Sequence, residues 1–283
     1  MRRAVARAGL VLAALAATAN GGSAPPSYLG RVDLEREVLR WELPERLREI
    51  SGLALTHDGR LLAHEDQNGI VYELDAREGR LRKAFALGSP TAREDFEGIA
   101  VAGDRVYLVT SGGRLYEARE GEDGERVRFH GYDTGADRDC ADVEGLDYDA
   151  RGQVLLLACK QARADARGSV GIYRWSPALR AAAEPAWMRI PEEALARPIA
   201  AKRFRPSALA LEPGSGNLLL LSSDPPALAE LAPDGGVLSV RRLSADEHRQ
   251  PEGLAVDAAG ALYVADEGAG RAARLSRYTA GER

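Results

Sequence analysis

The sequence predicts an all-β fold: a five-bladed β-propeller of four-stranded antiparallel blades, closed by an N-terminal strand completing the last blade. Two observations carry this. Five segments share one pattern, a Ser or Glu, a small residue, alternating apolar residues, a turn, and a second apolar run ending in polar residues. They start at Ser51 (SGLAL), Glu97 (EGIAV), Glu144 (EGLDY), Ser207 (SALAL) and Glu252 (EGLAV), at intervals of 46, 47, 63 and 45 residues, the length of a four-stranded blade. The last unit also holds only three strands, whereas an unpartnered strand, Glu37–Leu43, precedes the first unit. Pairing the two removes two exposed sheet edges at once.

Taken in order, the chain opens with a basic stretch, Met1 to Arg7, an apolar stretch, Leu10 to Ala17, and small residues beyond. That pattern predicts an export signal over residues 1–19, cleaved after Ala19, with an uncleaved membrane anchor as the alternative. A flexible leader over 20–28 and one propeller domain over 29–283 follow. Within the first unit, period-two alternation marks strands at Gly52–Thr56, Leu61–His64, Ile70–Leu74 and Leu81–Leu87, with Asp58-Gly59 as the first turn. The long third interval exceeds the others by too little for a sixth blade. Its Ala-rich stretches, Ala178–Ala183 and Glu192–Arg203, predict an elaborated loop with a short helix. The last unit reads as Leu254–Val256, Ala261–Ala265 and Ala272–Tyr278. Six blades or an open sandwich are the competing architectures.

Hydrophobic residues make up 45% and charged residues 29% of the chain, as in a folded, water-exposed domain. The formal charge of −5 includes Arg2, Arg3 and Arg7. An acidic body with no basic cluster interleaved with aromatics argues against nucleic acid as a partner. Two cysteines, Cys140 and Cys159, are too few for a zinc site and predict a disulfide if the chain is exported. Trp41, Trp175 and Trp187 are placed on outer strands, as packing between blades.

In a propeller the first strand of each blade lines the channel, so its start and the end of the second strand share one mouth. The starts supply Ser51, Glu97, Glu144, Ser207 and Glu252, preceded two residues earlier by Glu49, Asp95, Asp142, Arg205 and Gln250. The ends of the second strands add His64, Glu65, Asp66, Thr110, Ser111, Lys160, Ser223, Asp224, Asp266 and Glu267. Carboxylates crowded at one opening raise one another's pKa unless a cation neutralises them, and calcium accepts such mixed oxygen donors. Glu97, Glu144, Glu252 and Asp266 are the metal-ligand candidates. His64, Asp66, Lys160, Asp224 and Glu267 are the candidates for contacting a small ligand. The same glutamates could instead brace the blades by accepting N–H groups of neighbouring loops. Neither a Gly-x-Ser-x-Gly elbow nor a phosphate loop is present.

The motifs DFEGIAV (Asp95–Val101), CADVEGLDY (from Cys140), LLLLSSDPPALAEL (Leu218–Leu231) and QPEGLAVDAAGALYVADE (Gln250–Glu267), in this order, resemble the SdiA-regulated β-propeller family, also described as YjiK/CarP-type. The resemblance implies an exported bacterial propeller, linked in some members to calcium homeostasis, and brings no established catalytic residues. Three readings of the mouth stay open. One is a non-catalytic periplasmic monomer that binds calcium or a small ligand and signals to an envelope protein. The second is a calcium-dependent hydrolase of phosphoesters or lactones with His64 as base. The third is a protein-interaction scaffold.

Overall fold

The computed structural model describes residues 27–163 and 166–281. The signal over 1–19 and most of the leader lie outside the described residues. Five antiparallel sheets are arranged around one axis. Blade I comprises Ile50–Leu55, Leu61–Glu65, Ile70–Leu74 and Leu81–Leu87. Blade II comprises Phe96–Ala102, Arg105–Thr110, Arg114–Arg119 and Phe129–Asp133, and blade III Cys140–Asp149, Val154–Ala162, Ser169–Ser176 and Ala181–Pro191. Blade IV comprises Arg205–Leu211, Leu218–Asp224, Pro226–Leu231 and Val237–Arg242. Blade V takes Pro251–Val256, Ala261–Asp266 and Arg274–Thr279 from the C-terminal part of the chain, and Leu39–Glu42 from the N-terminal part.

The first strands close the ring: each packs on the first strand of the next blade, and that of blade V on that of blade I. Closure is completed at the periphery, where Leu39–Glu42 pairs with the third strand of blade V in the register Trp41 to Leu275. The two sheet edges that this pairing joins would otherwise offer unpaired N–H and C=O groups to other chains. Apolar clusters fill the space between neighbouring blades, as where Leu156, Ile172 and Met188 of blade III meet Leu209, Leu218 and Leu220 of blade IV.

Four details differ from the sequence reading. The long third interval is spent on the extended hairpin of blade III, whose fourth strand begins at Ala181, followed by a five-residue helix, Glu192–Ala196. A two-stranded parallel pairing of Arg126–Val127 with the fourth strand of blade I gives that sheet a fifth strand. Trp175 lies on a third strand and is fully buried, while Trp41 and Trp187 are on fourth strands. The described end of the leader is docked: the carboxylate of fully buried Glu230 accepts the backbone N–H groups of Tyr28 (2.7 Å) and Leu29 (2.9 Å) and the side-chain amide of Asn217 (2.6 Å).

The small residue after each repeat start has a structural cause. A Cβ added at Gly98 would lie 2.7 Å from the Leu146 nitrogen of blade III, and one at Gly145 2.8 Å from the Leu209 nitrogen of blade IV. One at Gly253 would lie 2.8 Å from the Leu53 side chain of blade I. Successive first strands touch at these glycines. Gly145 also has φ +84°, whereas Gly103, in a surface turn with φ +63°, faces open space. Gly103→Ala should therefore cost only the roughly 1–2 kcal/mol of a left-handed alanine, and Gly145→Ala at least about 2 kcal/mol more. Denaturant unfolding of the two variants measures the difference, and equal costs would contradict the close-approach explanation.

Candidate functional site

Each repeat-start residue sits in a β-bulge. In blade I, Ile50 pairs with Glu65 and Gly52 with His64, so Ser51 is left out of the ladder. Glu97 is skipped between Phe96 and Gly98, Ser207 between Pro206 and Ala208, and Glu252 between Pro251 and Gly253. In blade III the irregularity is wider: Val143 pairs with Cys159 and Leu146 with Leu157, leaving Glu144 and Gly145 unpaired on one strand and Ala158 on the other. A bulge bends the strand and re-aims the side chain of the extra residue. Five bulges at equivalent places bring five side chains to one mouth of the channel.

The resulting site is an acidic ring around one lysine. Lys160 Nζ donates to Glu144 Oε1 at 2.5 Å, and Ser51 Oγ donates to Glu97 Oε2 at 2.9 Å across the boundary between blades I and II. Ser207 Oγ instead donates to the Pro251 carbonyl at 2.6 Å, bracing blade IV against blade V. Glu144 and Glu252 are buried and Glu97 is half-buried.

Burial is the main cause that pushes each of these three carboxyls up to about 8, and mutual repulsion adds to it: Glu144 acts on Glu97, Glu252 on Glu144, and Glu97 on Glu252. The Lys160 charge opposes the rise in all three. Burial alone would lower Lys160 itself, but the Glu144 carboxylate holds it above its usual range. Around this ring lies a rim of further acids. Burial and the neighbouring Glu49 push Glu267 up to about 7, and burial with Glu65 and Glu49 pushes Asp66 up to about 6. Asp142 is also raised, chiefly by burial. One ammonium cannot neutralise this many carboxylates, so the ring carries protons at neutral pH.

Of the residues singled out in the sequence, Glu97, Glu144, Glu252 and Lys160 come together, with Asp66 and Glu267 at the rim. Asp224 and His64 do not join them, and Asp266 has a partner outside the ring although its charge still helps to raise Glu252. Asp224 is exposed and paired with Arg203. Asp266 Oδ2 lies 2.7 Å from His248 Nδ1, in a buried chain that continues through His248 Nε2 to the Tyr278 hydroxyl (2.5 Å) and from there to Glu37 (3.0 Å). His64 is fully buried: its Nδ1 donates to the Glu65 carbonyl, a Cβ at Gly52 would lie 2.5 Å from its Nε2, and burial pushes its pKa down to about 4. Cys140 and Cys159 form a disulfide with a Cα separation of 5.8 Å. It ties the start of the blade III first strand to the end of its second, the two stretches that carry Asp142, Glu144 and Lys160.

Comparison with known proteins agrees with this architecture. The family model described as SdiA-regulated matches residues 33–269. The chain belongs to the SdiA-regulated family. Among curated protein sequences none matches it. Solved structures similar to this SdiA-regulated propeller include the Myxococcus xanthus glutaminyl cyclase, with TM-score 0.57 and 13% identity over 87% of this chain and 97% of that one. The PQQ-bound aldose sugar dehydrogenase of Streptomyces coelicolor aligns with TM-score 0.54 and 13% identity over 88% and 98% of the two chains. At these identities the likeness concerns the fold alone.

The donor chemistry of the ring fits a hard cation: the carboxyl donors are all oxygens, and Glu65 Oε1 and Asp66 Oδ1 are buried without a hydrogen-bond partner. It is not a preassembled coordination shell. Among the described residues no three His, Cys, Asp or Glu side chains are arranged to hold a metal ion.

The charge state of the ring has a consequence for stability. A carboxyl raised from 4.5 to about 8 keeps its proton in the folded protein between those values, while the unfolded chain has already lost it. Folding stability therefore falls as pH rises through that window and levels off above it. Carboxylates held low by ion pairs, such as Glu37 and Glu120, change stability only below about pH 4.5. Asp147, raised to about 6, adds to the fall at the lower end of the window and His64, lowered to about 4, opposes it there, so the part above about pH 6.5 belongs to the ring and its rim. The melting temperature should drop by roughly 10 °C between pH 5 and 8.5 without added divalent cations, and the Glu97→Gln/Glu252→Gln double variant should flatten the drop. A wild-type melting temperature that is constant or rises across the window would refute the protonated ring.

Proposed function

We propose that this SdiA-regulated propeller is an exported protein that binds calcium, or a hard divalent cation of similar chemistry, at its acidic mouth, and that binding is coupled to release of protons and rearrangement of Lys160. One observation carries the reading. Glu97, Glu144 and Glu252 are aimed from three bulges at one opening where burial and mutual repulsion raise all three carboxyls, with the half-buried Lys160, ion-paired to Glu144, as the one ammonium they share and protons left on Glu97 and Glu252. Such a site has a standing demand for positive charge. These three glutamates would hold the ion, with Asp66 and Glu267 contributing from the rim. A bound divalent cation supplies the charge that Lys160 alone cannot.

The chain's own groups then set the response. Deprotonation of Glu97 and Glu252 makes oxygen donors available, and departure of the Lys160 ammonium frees Glu144. Because the ring draws on three blades, and Ser51 ties a fourth, occupation would draw the blade starts together and alter the rim presented to an envelope partner. Export is supported by the leader pattern of residues 1–19, and the Cys140–Cys159 disulfide suits an oxidising compartment. Hydrolysis is the weaker reading, since its expected base, His64, is walled off beneath Gly52.

Calorimetric titration of calcium into chelator-treated protein tests the proposal. Affinity should be at least about tenfold tighter at pH 8.5 than at pH 6, with proton release seen as a dependence of the heat on buffer ionisation enthalpy. Lys160→Met should tighten binding and Glu144→Gln weaken it. Absence of binding at both pH values, or an affinity unmoved by Lys160→Met, would overturn it.

A further inference from the structure

The opposite mouth of the channel holds a cavity of about 610 Å³, formed where the first strands end and turn. Three residues of the blade III first strand, from Glu144 to Asp147, separate it from the acidic ring. The size is in the range of small-molecule sites. Leu53, Val101, Leu211, Leu254 and Val256 supply an apolar wall from four blades, and Trp187, with Arg174 stacked on its ring at 3.4 Å, forms the side between blades III and IV.

Within this wall one position breaks the repeat. The third residue after each repeat start is Ala54, Ala100, Ala210 or Ala255 in four blades, and Asp147 in blade III. The four alanines are buried in the contacts between blades. Ala54, Ala210 and Ala255 also line the cavity, and among the five equivalent positions Asp147 alone brings a carboxylate to it. Its Oδ1 accepts the Tyr148 N–H at 2.7 Å and its Oδ2 the Leu211 N–H at 2.8 Å. Each oxygen keeps an acceptor site, since a carboxylate offers about four. The neighbouring acids are committed to their own turns: Asp257 Oδ1 accepts the N–H groups of Ala259 and Ala261, and Glu212 those of Gly214 and Ser215. Four carboxylates and two guanidiniums line the space in all, so its charge balance favours a cation. Burial pushes Asp147 up to about 6, which leaves it ionised at neutral pH.

We infer that this cavity is a second binding site, separate from the acidic ring, for a small apolar molecule carrying one protonated amine, with the ammonium on Asp147 and the hydrocarbon against the Leu53, Val101 and Leu254 wall. A purely structural Asp147, stitching blade III to blade IV through Leu211, would not require the carboxylate charge, and the seams that carry alanine at this place are closed without it.

The test uses three isosteres, 4-phenylbutylamine, 4-phenylbutan-1-ol and 4-phenylbutyrate, titrated into the full chain by calorimetry and by tryptophan fluorescence. The amine should bind at least tenfold more tightly than the alcohol, and the carboxylate more weakly still. Asp147→Asn should bring the amine to the affinity of the alcohol, and Val101→Trp, which fills the cavity, should remove binding of both. Trp187→Phe should abolish the fluorescence change while calorimetric binding persists, which places the amine here and not at the ring. Equal affinity of amine and alcohol for the wild type, an amine affinity unmoved in Asp147→Asn, or a fluorescence change that survives Trp187→Phe would each overturn the inference. So would the absence of amine binding at millimolar concentration. None of these outcomes depends on whether the ring binds calcium.

Discussion

The close approach of five first strands around one axis is the constraint from which the other properties follow. At Gly98 and Gly145 the backbone of one blade lies against that of the next, with no room for a side chain. Strands held this tightly cannot keep a regular ladder and also turn into the channel, and the bulge at each repeat start reconciles the two. It ejects one residue per blade toward the axis. Three of those five residues are glutamates, so the same packing that seals the ring also crowds its acids.

Environment, not residue type, decides what those acids do. Glu120, on the outer surface, is held below its usual range by Arg60 and Lys83, whereas Glu97, Glu144 and Glu252 share one lysine and are raised. An outer carboxylate with two cations favours its charged form; an inner one with a third of a cation, away from water, does not. The disulfide in blade III sits beside this arrangement and holds the bulged strand pair that carries both Glu144 and Lys160. At the far end of the channel, where the first strands end, an apolar wall from four blades meets charged turns, and Asp147 stands where the other blades carry alanine.

The repeat made much of this legible in the sequence. Blade number, ring closure by the strand around Trp41, the five mouth positions and the Cys140–Cys159 pairing all follow from local pattern or from pairs whose partners the repeat places. What stayed hidden depends on partners distant in sequence. Asp224 occupies the same repeat position as mouth residues but is taken by Arg203, from the segment inserted ahead of blade IV. Asp266 is taken by His248 from the connection between blades IV and V, and that chain reaches Glu37 only because the ring has closed. His64 lies off the mouth for a different reason: strand alternation resumes beyond the bulge and sends it under Gly52. Asp147 is readable in the sequence as a departure from four alanines once the five segments are aligned.

The central claim is that the ring glutamates hold protons at neutral pH because the blades crowd them out of water. Carbon-13 NMR titration of glutamate side-chain carboxyls, with Glu97, Glu144 and Glu252 assigned by single Gln variants, measures this directly. Carboxyl resonances of these residues should titrate near pH 8, well separated from the surface glutamates. If all three titrate below pH 5 with the rest, the ring is an ordinary set of ionised, solvated acids, and the charge demand assigned to it does not exist.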